Sequence, residues 1–270
     1  MGFVTAGGGE LYYDVAEPAS ARAAGTILFH HGIAVDARIW DGWLPVLAGR
    51  YRIVRFDMRG FGRSAAAAKG FAWSVPNLLS DLFAVADAAG ADQFHLAGES
   101  MGGTLALAAA LDRPERIASV TVSNGAHFGA SVRNVAHWKD AFAKDGPARW
   151  SAAMMRDRFH DDALDPARRA WFEANQASHP VDSILAALGV LVGADLTERL
   201  GDIAQPVLLL HGDSSPFIPV SVMAEMHARL KRSEFQVFAH AKHGLPFSHG
   251  RECAEVLAKF LARQAIGSSP

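Results

Sequence analysis

The sequence predicts an α/β fold, a doubly wound and mostly parallel sheet with helices on both faces and a helical cap inserted into it. Three features carry that reading. Short runs rich in Ile, Val, Leu and Phe alternate with helix-like stretches. One such run leads into a helix through a cramped turn that holds a serine between glycines. One long stretch, residues 127–201, breaks the alternation altogether.

In chain order, Leu11–Val15 alternates apolar and polar residues, as an outer antiparallel strand does. Thr26–Phe29, Arg52–Phe56, Phe94–Ala97, Ser119–Val122, Val207–Leu210 and Phe235–Phe238 read as short strands covered on both faces. Helices are expected at Leu78–Ala89, Gly102–Leu111, Val220–Leu230 and Glu252–Arg263. The Gly7-Gly8-Gly9 turn and the 267–270 tail look flexible, and no internal repeat or low-complexity tract is present. The core is expected in 1–126 and 202–270, and the cap in 127–201, a crossover far longer than core strands need. There Trp138, Phe142, Trp150, Met154, Met155, Phe159, Trp171 and Phe172 recur at helical spacing. As a group they suit a lid over an apolar pocket, with Trp138 and Trp150 as its expected substrate contacts.

Composition excludes several classes. Of 270 residues, half are hydrophobic and a fifth charged, enough for a sizeable core. The net charge of −2 argues against a nucleic-acid or anionic-membrane partner. The longest apolar run, Ile184–Ala194, is too short to span a bilayer, and no charged-then-apolar leader opens the sequence, so a cytoplasmic location is expected. The single cysteine, Cys253, excludes an internal disulfide; beside Leu257, Phe260 and Leu261 it reads as a core thiol. No metal and no cofactor is expected, and the partner is a small-molecule substrate.

The serine turn is Gly98-Glu99-Ser100-Met101-Gly102, a G-x-S-x-G pattern, followed by Gly103 and Thr104 where helix and strand must pass closely. A nucleophilic Ser100 needs a general base, and histidine suits that role near neutral pH. Of twelve histidines, His243 is chosen by position, because its loop follows the last strand and precedes the last helix, at the carboxyl edge of the sheet. His240, nearer the strand, reads as structural. Acyl transfer also needs two backbone N–H donors for the developing oxyanion. They are assigned to Met101, after the nucleophile, and to Ile33, in the Phe29-His30-His31-Gly32-Ile33 loop. His30 and His31 read as loop braces. The glycine-punctuated Asp57–Ser64 turn reads as a loop held by an Asp–Arg pair, since its glycines are not spaced as a phosphate cradle.

These loops occur in the order and spacing of the α/β-hydrolase superfamily, which the chain resembles over nearly its whole length. Ser123-Asn124-Gly125-Ala126 followed by a Trp-containing helical stretch is similar to the 3-oxoadipate enol-lactonase and carboxyl-ester hydrolase branch. The resemblance implies a serine hydrolase of a small ester, lactone or related carbonyl compound, in which an acyl-enzyme forms on Ser100 and is hydrolysed. Carbon–carbon bond hydrolysis, cofactor-free oxygen chemistry on the same fold, and a slow-turnover ligand receptor stand as alternatives. One position departs from the family. The third triad member is usually an acid three residues beyond the His-Gly of the strand at 207–210, and here that residue is Ser215. Asp213 is the only carboxylate in that loop, ~6–7 Å away along an extended chain. Asn124, the other place from which such families draw the acid, cannot bear charge. Asp213 as the acid, or a true vacancy at Ser215, both stay open at this point.

Overall fold

The computed structural model describes residues 1–18 and 23–266. Eight strands build one sheet: β1 (Gly2–Ala6), β2 (Gly9–Ala16), β3 (Thr26–His30), β4 (Arg52–Phe56), β5 (Phe94–Glu99), β6 (Ile117–Ser123), β7 (Val207–Gly212) and β8 (Ser233–Phe238). Their spatial order is β1-β2-β4-β3-β5-β6-β7-β8; β1 and β2 run antiparallel, and the rest are parallel. The helices are α1 (Leu44–Leu47), α2 (Val75–Ala88), α3 (Met101–Asp112), α4 (Trp138–Arg158), α5 (Pro166–Ala177), α6 (Val181–Gly193), α7 (Val220–Arg229), α8 (Leu245–Ser248) and α9 (Gly250–Ile266).

The alternation of side chains along each strand divides the core in two. Leu28, Leu96, Val120, Val122 and Leu209 face one layer with Leu82 and Leu105 of α2 and α3. Ile27, Phe29, Ala97, Leu208 and Leu210 face the other with Trp40, Trp43, Leu257 and Phe260. Cys253 is buried in that second layer, as its spacing with Leu257 and Phe260 implied.

Two expectations at the N-terminus are corrected. Strand β2 is not the outermost, since β1 lies outside it, and the three-glycine turn is no loose end. Ala6 pairs with Gly9 across Gly7 and Gly8, both at positive φ (50° and 79°), which closes a two-residue hairpin of the type that twists with its strands. The 267–270 tail lies outside the described residues.

Helices α4, α5 and α6 all lie between β6 and β7, within the stretch where no strand was expected. Helix α4 is kinked at Gly146 (φ 72°, ψ 172°), immediately before Pro147. A bridge between Phe128 and Asp195 ties the two ends of the insert together. The insert reaches the core through Asn175, which donates to Asp36 at 2.7 Å, and through Arg158, which donates to the Ile33 carbonyl at 3.2 Å. The parallel order places the loops after β3, β5, β6, β7 and β8 at one sheet edge, beneath this insert.

Candidate active site

Ser100 stands where β5 ends and α3 begins, with φ 53° and ψ −117°. An L residue holds that conformation only where its surroundings over-determine it. Here they do: a Cβ on Gly98 would lie 2.1 Å from the Gly102 carbonyl oxygen, and one on Gly102 would lie 2.4 Å from that of His30. Both obstacles are backbone, so only glycine lets the turn close. The Ser100 N–H donates to the Ser123 carbonyl at 2.8 Å, which pins the turn to β6.

His243 enters from the loop between β8 and α8. Its Nε2 lies 3.1 Å from Ser100 Oγ, and its Nδ1 lies 3.1 Å from Ser215 Oγ. The Phe217 ring stands edge-on at 4.9 Å. Burial, followed by the charges of Arg158 and His211, holds the imidazole well below the usual pKa of 6.5, so it is neutral at neutral pH. The tautomer with Nδ1–H donating to Ser215 Oγ leaves the Nε2 lone pair toward the serine hydroxyl, as a general base requires.

Asp213 does not reach the ring, which corrects its expected role as the acid. Its carboxylate accepts from the amides of His240 (3.0 Å) and Ala241 (3.1 Å) and from the Ser214 hydroxyl (2.7 Å). The cause is local. Asp213 N–H and Ser214 N–H donate to the carbonyls of Phe238 and Ala241, so Asp213 stays on the β8 side and the chain turns before Ser215 faces His243. Asn124 is also not a ring partner. Its Nδ2 donates to the His243 carbonyl at 3.0 Å and its Oδ1 accepts from Gly212 N–H at 3.1 Å, so it clamps the backbone of both loops.

The Met101 amide opens α3, where a helix's first N–H groups have no intrahelical partner. Ile33 lines the same cavity as Ser100 and His243. His31 braces this loop: its Nδ1–H donates to the Gly32 carbonyl at 2.7 Å and its Nε2 accepts from Met58 N–H at 2.8 Å. His30 bonds the His31 carbonyl, and burial lowers its pKa to about 3. In the Asp57–Ser64 turn, Asp57 accepts from the amides of Ala37 and Arg63. Asp57 also forms an ion pair with Arg63 Nε at 3.6 Å, the Asp–Arg pair expected in this turn, and a second, buried pair joins Arg59 to Asp81 of α2 at 2.6 Å. His240 is exposed, stacked on His160 and bonded to Asp162, away from the serine.

The cavity beside Ser100 measures about 20 Å³ and is walled by Ile33, Val132, Val135, Trp138, Leu188, Leu191, Phe217 and Ile218, with Ser100, His243 and Arg158 as its polar lining. Trp138 therefore meets the cavity, but Trp150 does not. Trp150 packs behind Trp138 at 5.1 Å and against Phe142 at 4.4 Å. Helical spacing placed both tryptophans in the insert without distinguishing the layer facing the serine from the one behind it.

Two residues were missed. Glu99, at the end of β5, is 3% exposed, and its Oε1 lies 3.7 Å from His243 Nε2 and 3.8 Å from Arg158 Nη1. Burial pushes its carboxyl up to about 7, against the pull of Arg158. Arg158, the last residue of α4, is buried; its Nε donates to Gln176 Oε1 at 3.1 Å. The one signal in the sequence was a carboxylate at the closing position of an otherwise apolar strand. Among the described residues, no group of three or more His, Cys, Asp or Glu side chains converges as a metal site would.

Residues 25–250 match the family described as alpha/beta hydrolase fold. The chain belongs to the α/β-hydrolase fold family. It is similar to a pimeloyl-[acyl-carrier protein] methyl ester esterase of Aeromonas hydrophila, at 29% identity over 86% of this chain and 93% of that one. It is similar to a protein of Caulobacter segnis named as a carbamate hydrolase, at 27% identity over 87% of this chain and 90% of the other. Among solved structures, the enol-lactonase of Burkholderia xenovorans LB400 superposes with a TM-score of 0.87 at 20% identity, over 97% of this chain and 100% of that one. That likeness is one of fold. Among the described residues of this α/β-hydrolase, no helix is long and apolar enough to cross a membrane.

Proposed function

We propose that this α/β-hydrolase is a serine hydrolase of small, largely apolar esters or lactones, working through an acyl-enzyme on Ser100. The observation that carries the reading is the 3.1 Å contact between Ser100 Oγ and His243 Nε2, on a strained turn that opens into an apolar cavity. The names of its relatives, an ester hydrolase and a carbamate hydrolase among them, support carbonyl hydrolysis. In this reading Ser100 Oγ attacks the carbonyl carbon as its proton passes to His243 Nε2, and the amides of Ile33 and Met101 take the developing oxyanion. As the C–O bond breaks, Nε2 returns the proton to the leaving alcohol, and water then repeats the sequence on the acyl-enzyme. Ser215 keeps the ring in register but brings no charge. The space beside Ser100 is walled mostly by apolar side chains, which suits a small apolar acyl group.

The test is Ser100→Ala against a panel of activated esters and lactones, with intact-mass detection of the acyl-enzyme on the unsubstituted chain. Turnover is expected to fall on the order of a millionfold. A folded variant that keeps more than about a hundredth of the activity ends the nucleophile role.

A further inference from the structure

A buried carboxyl beside the reacting nitrogen has no role in the mechanism above. Glu99 Oε1 is 3.7 Å from His243 Nε2, the atom that carries the proton, while the place of the usual acid holds only the Ser215 hydroxyl. Its second oxygen is buried against Gly32, so closely that a Cβ there would lie 2.0 Å away, and the Gly32 backbone amide favours the charged carboxylate. A carboxyl confined this way is costly to bury. The surrounding charges are few. Arg158, from the end of α4, faces Glu99 at 3.8 Å. His243 faces it from the β8–α8 loop, and His31 is turned away onto Met58. His211 of β7 faces His243 from the other side, bonded to the Ile218 carbonyl.

We propose that Glu99, the residue before the nucleophile, supplies the negative charge for the His243 imidazolium that Ser215 cannot, acting from the nucleophile side of the ring as a positioning residue. The proposal rests on the serine-hydrolase reading. When Ser100 attacks, its proton moves to Nε2 and the imidazolium forms 3.7 Å from the Glu99 carboxylate, which keeps its charge throughout. Arg158 steadies that carboxylate, and the carbonyls of His243 and Ile33, held by Asn124 and Arg158, fix the two loops around it. The charge is present only above the pH at which Glu99 ionises, which burial has moved to about 7. The neutral imidazole, held well below that pH, contributes no limb there.

The experiment measures kcat and KM against pH, from about 5 to 9, for the unsubstituted chain, Glu99→Gln and Glu99→Asp on a nitrophenyl ester, with fluorophosphonate labelling of Ser100 in each. The unsubstituted chain is expected to gain activity through a limb near pH 7. Glu99→Gln is expected to lose that limb and about a hundredfold in kcat with KM little changed. This is less than the ~10⁴-fold that follows loss of a directly bonded triad carboxylate, because the contact here is through space. Glu99→Asp is expected to keep the limb. A folded, labelled Glu99→Gln protein with an unmoved profile overturns the proposal and leaves the serine-hydrolase reading standing. Absence of any limb near 7 in the unsubstituted chain overturns it even if Glu99→Gln does not fold. Failure of Ser100 to label, with Ser100→Ala active, overturns the underlying reading instead.

Discussion

Replacing Ser215 with aspartate places a carboxylate on the Nδ1 face of His243, where the hydroxyl now sits at 3.1 Å. At that distance, with an effective dielectric constant of ~20, the gross attraction for an imidazolium is about 5 kcal/mol. Desolvating the new carboxylate takes part of that back, partly offset because the Ile218 N–H, now aimed at Ser215 Oγ from 3.4 Å, can donate to it. An opposite charge this close typically raises a histidine pKa by about 1–3 units, or ~1.4–4 kcal/mol. The sign is set by the starting point. His243 is held well below 6.5, so the change raises its pKa back toward the ordinary value and makes it a stronger base. Because the imidazolium is formed in the transition state, kcat at pH 8 is expected to rise about 10–10³-fold. Ester kinetics read the rate, and nuclear magnetic resonance titration of the ring protons reads the pKa. A folded Ser215→Asp protein with both unchanged would refute the claim that Ser215 stands in the acid's place.

Asp213→Asn is expected to leave kcat within about threefold and to lower the melting temperature slightly, because the carboxylate holds loop amides; a loss approaching ~10⁴ would restore Asp213 as the acid. Trp138→Ala should change KM and ester preference, since Trp138 walls the cavity, whereas Trp150→Ala should cost about 3–5 kcal/mol in denaturant unfolding with selectivity retained. Equal effects on selectivity would place Trp150 in the pocket. Acid should destabilise the fold early. Burial holds His30 at about 3 and His95, His179 and His211 at about 4, below the unfolded value of 6.5. The unfolded chain therefore takes protons that the folded chain refuses, and stability falls as pH drops from 6.5 toward 4, by up to ~1.4 kcal/mol per pH unit per group. A melting temperature that is flat from pH 7 to 5 would contradict that burial. Glu99 has the opposite sign. Its raised pKa gives a contribution that is full below 4.5 and lost as pH rises through about 7.

Local physics was enough for much of this protein. Strand composition and alternation place the parallel sheet, because each strand carries its own burial pattern, seen in the split of Ile27 and Phe29 from Leu28. The elbow was legible for the same reason: Gly98 and Gly102 are demanded by backbone atoms a few residues away or in the neighbouring loop. His243 was found by its place in chain order, since a parallel sheet brings every strand's carboxyl end to one edge. What remained depended on direction. Asp213 and Ser215 lie two residues apart, and only the turn pinned to Phe238 and Ala241 decides which one meets the ring. Trp138 and Trp150 share a helical spacing in the sequence but stand on either side of the break at Gly146, and only packing against Phe217 and Phe142 decides which one meets the cavity. Glu99 and Arg158 are 59 positions apart (158 − 99) and meet only after the insert folds back over the sheet. Spacing along a chain determines the face on which a side chain stands; what it faces across the fold depends on long-range closure that no local pattern encodes.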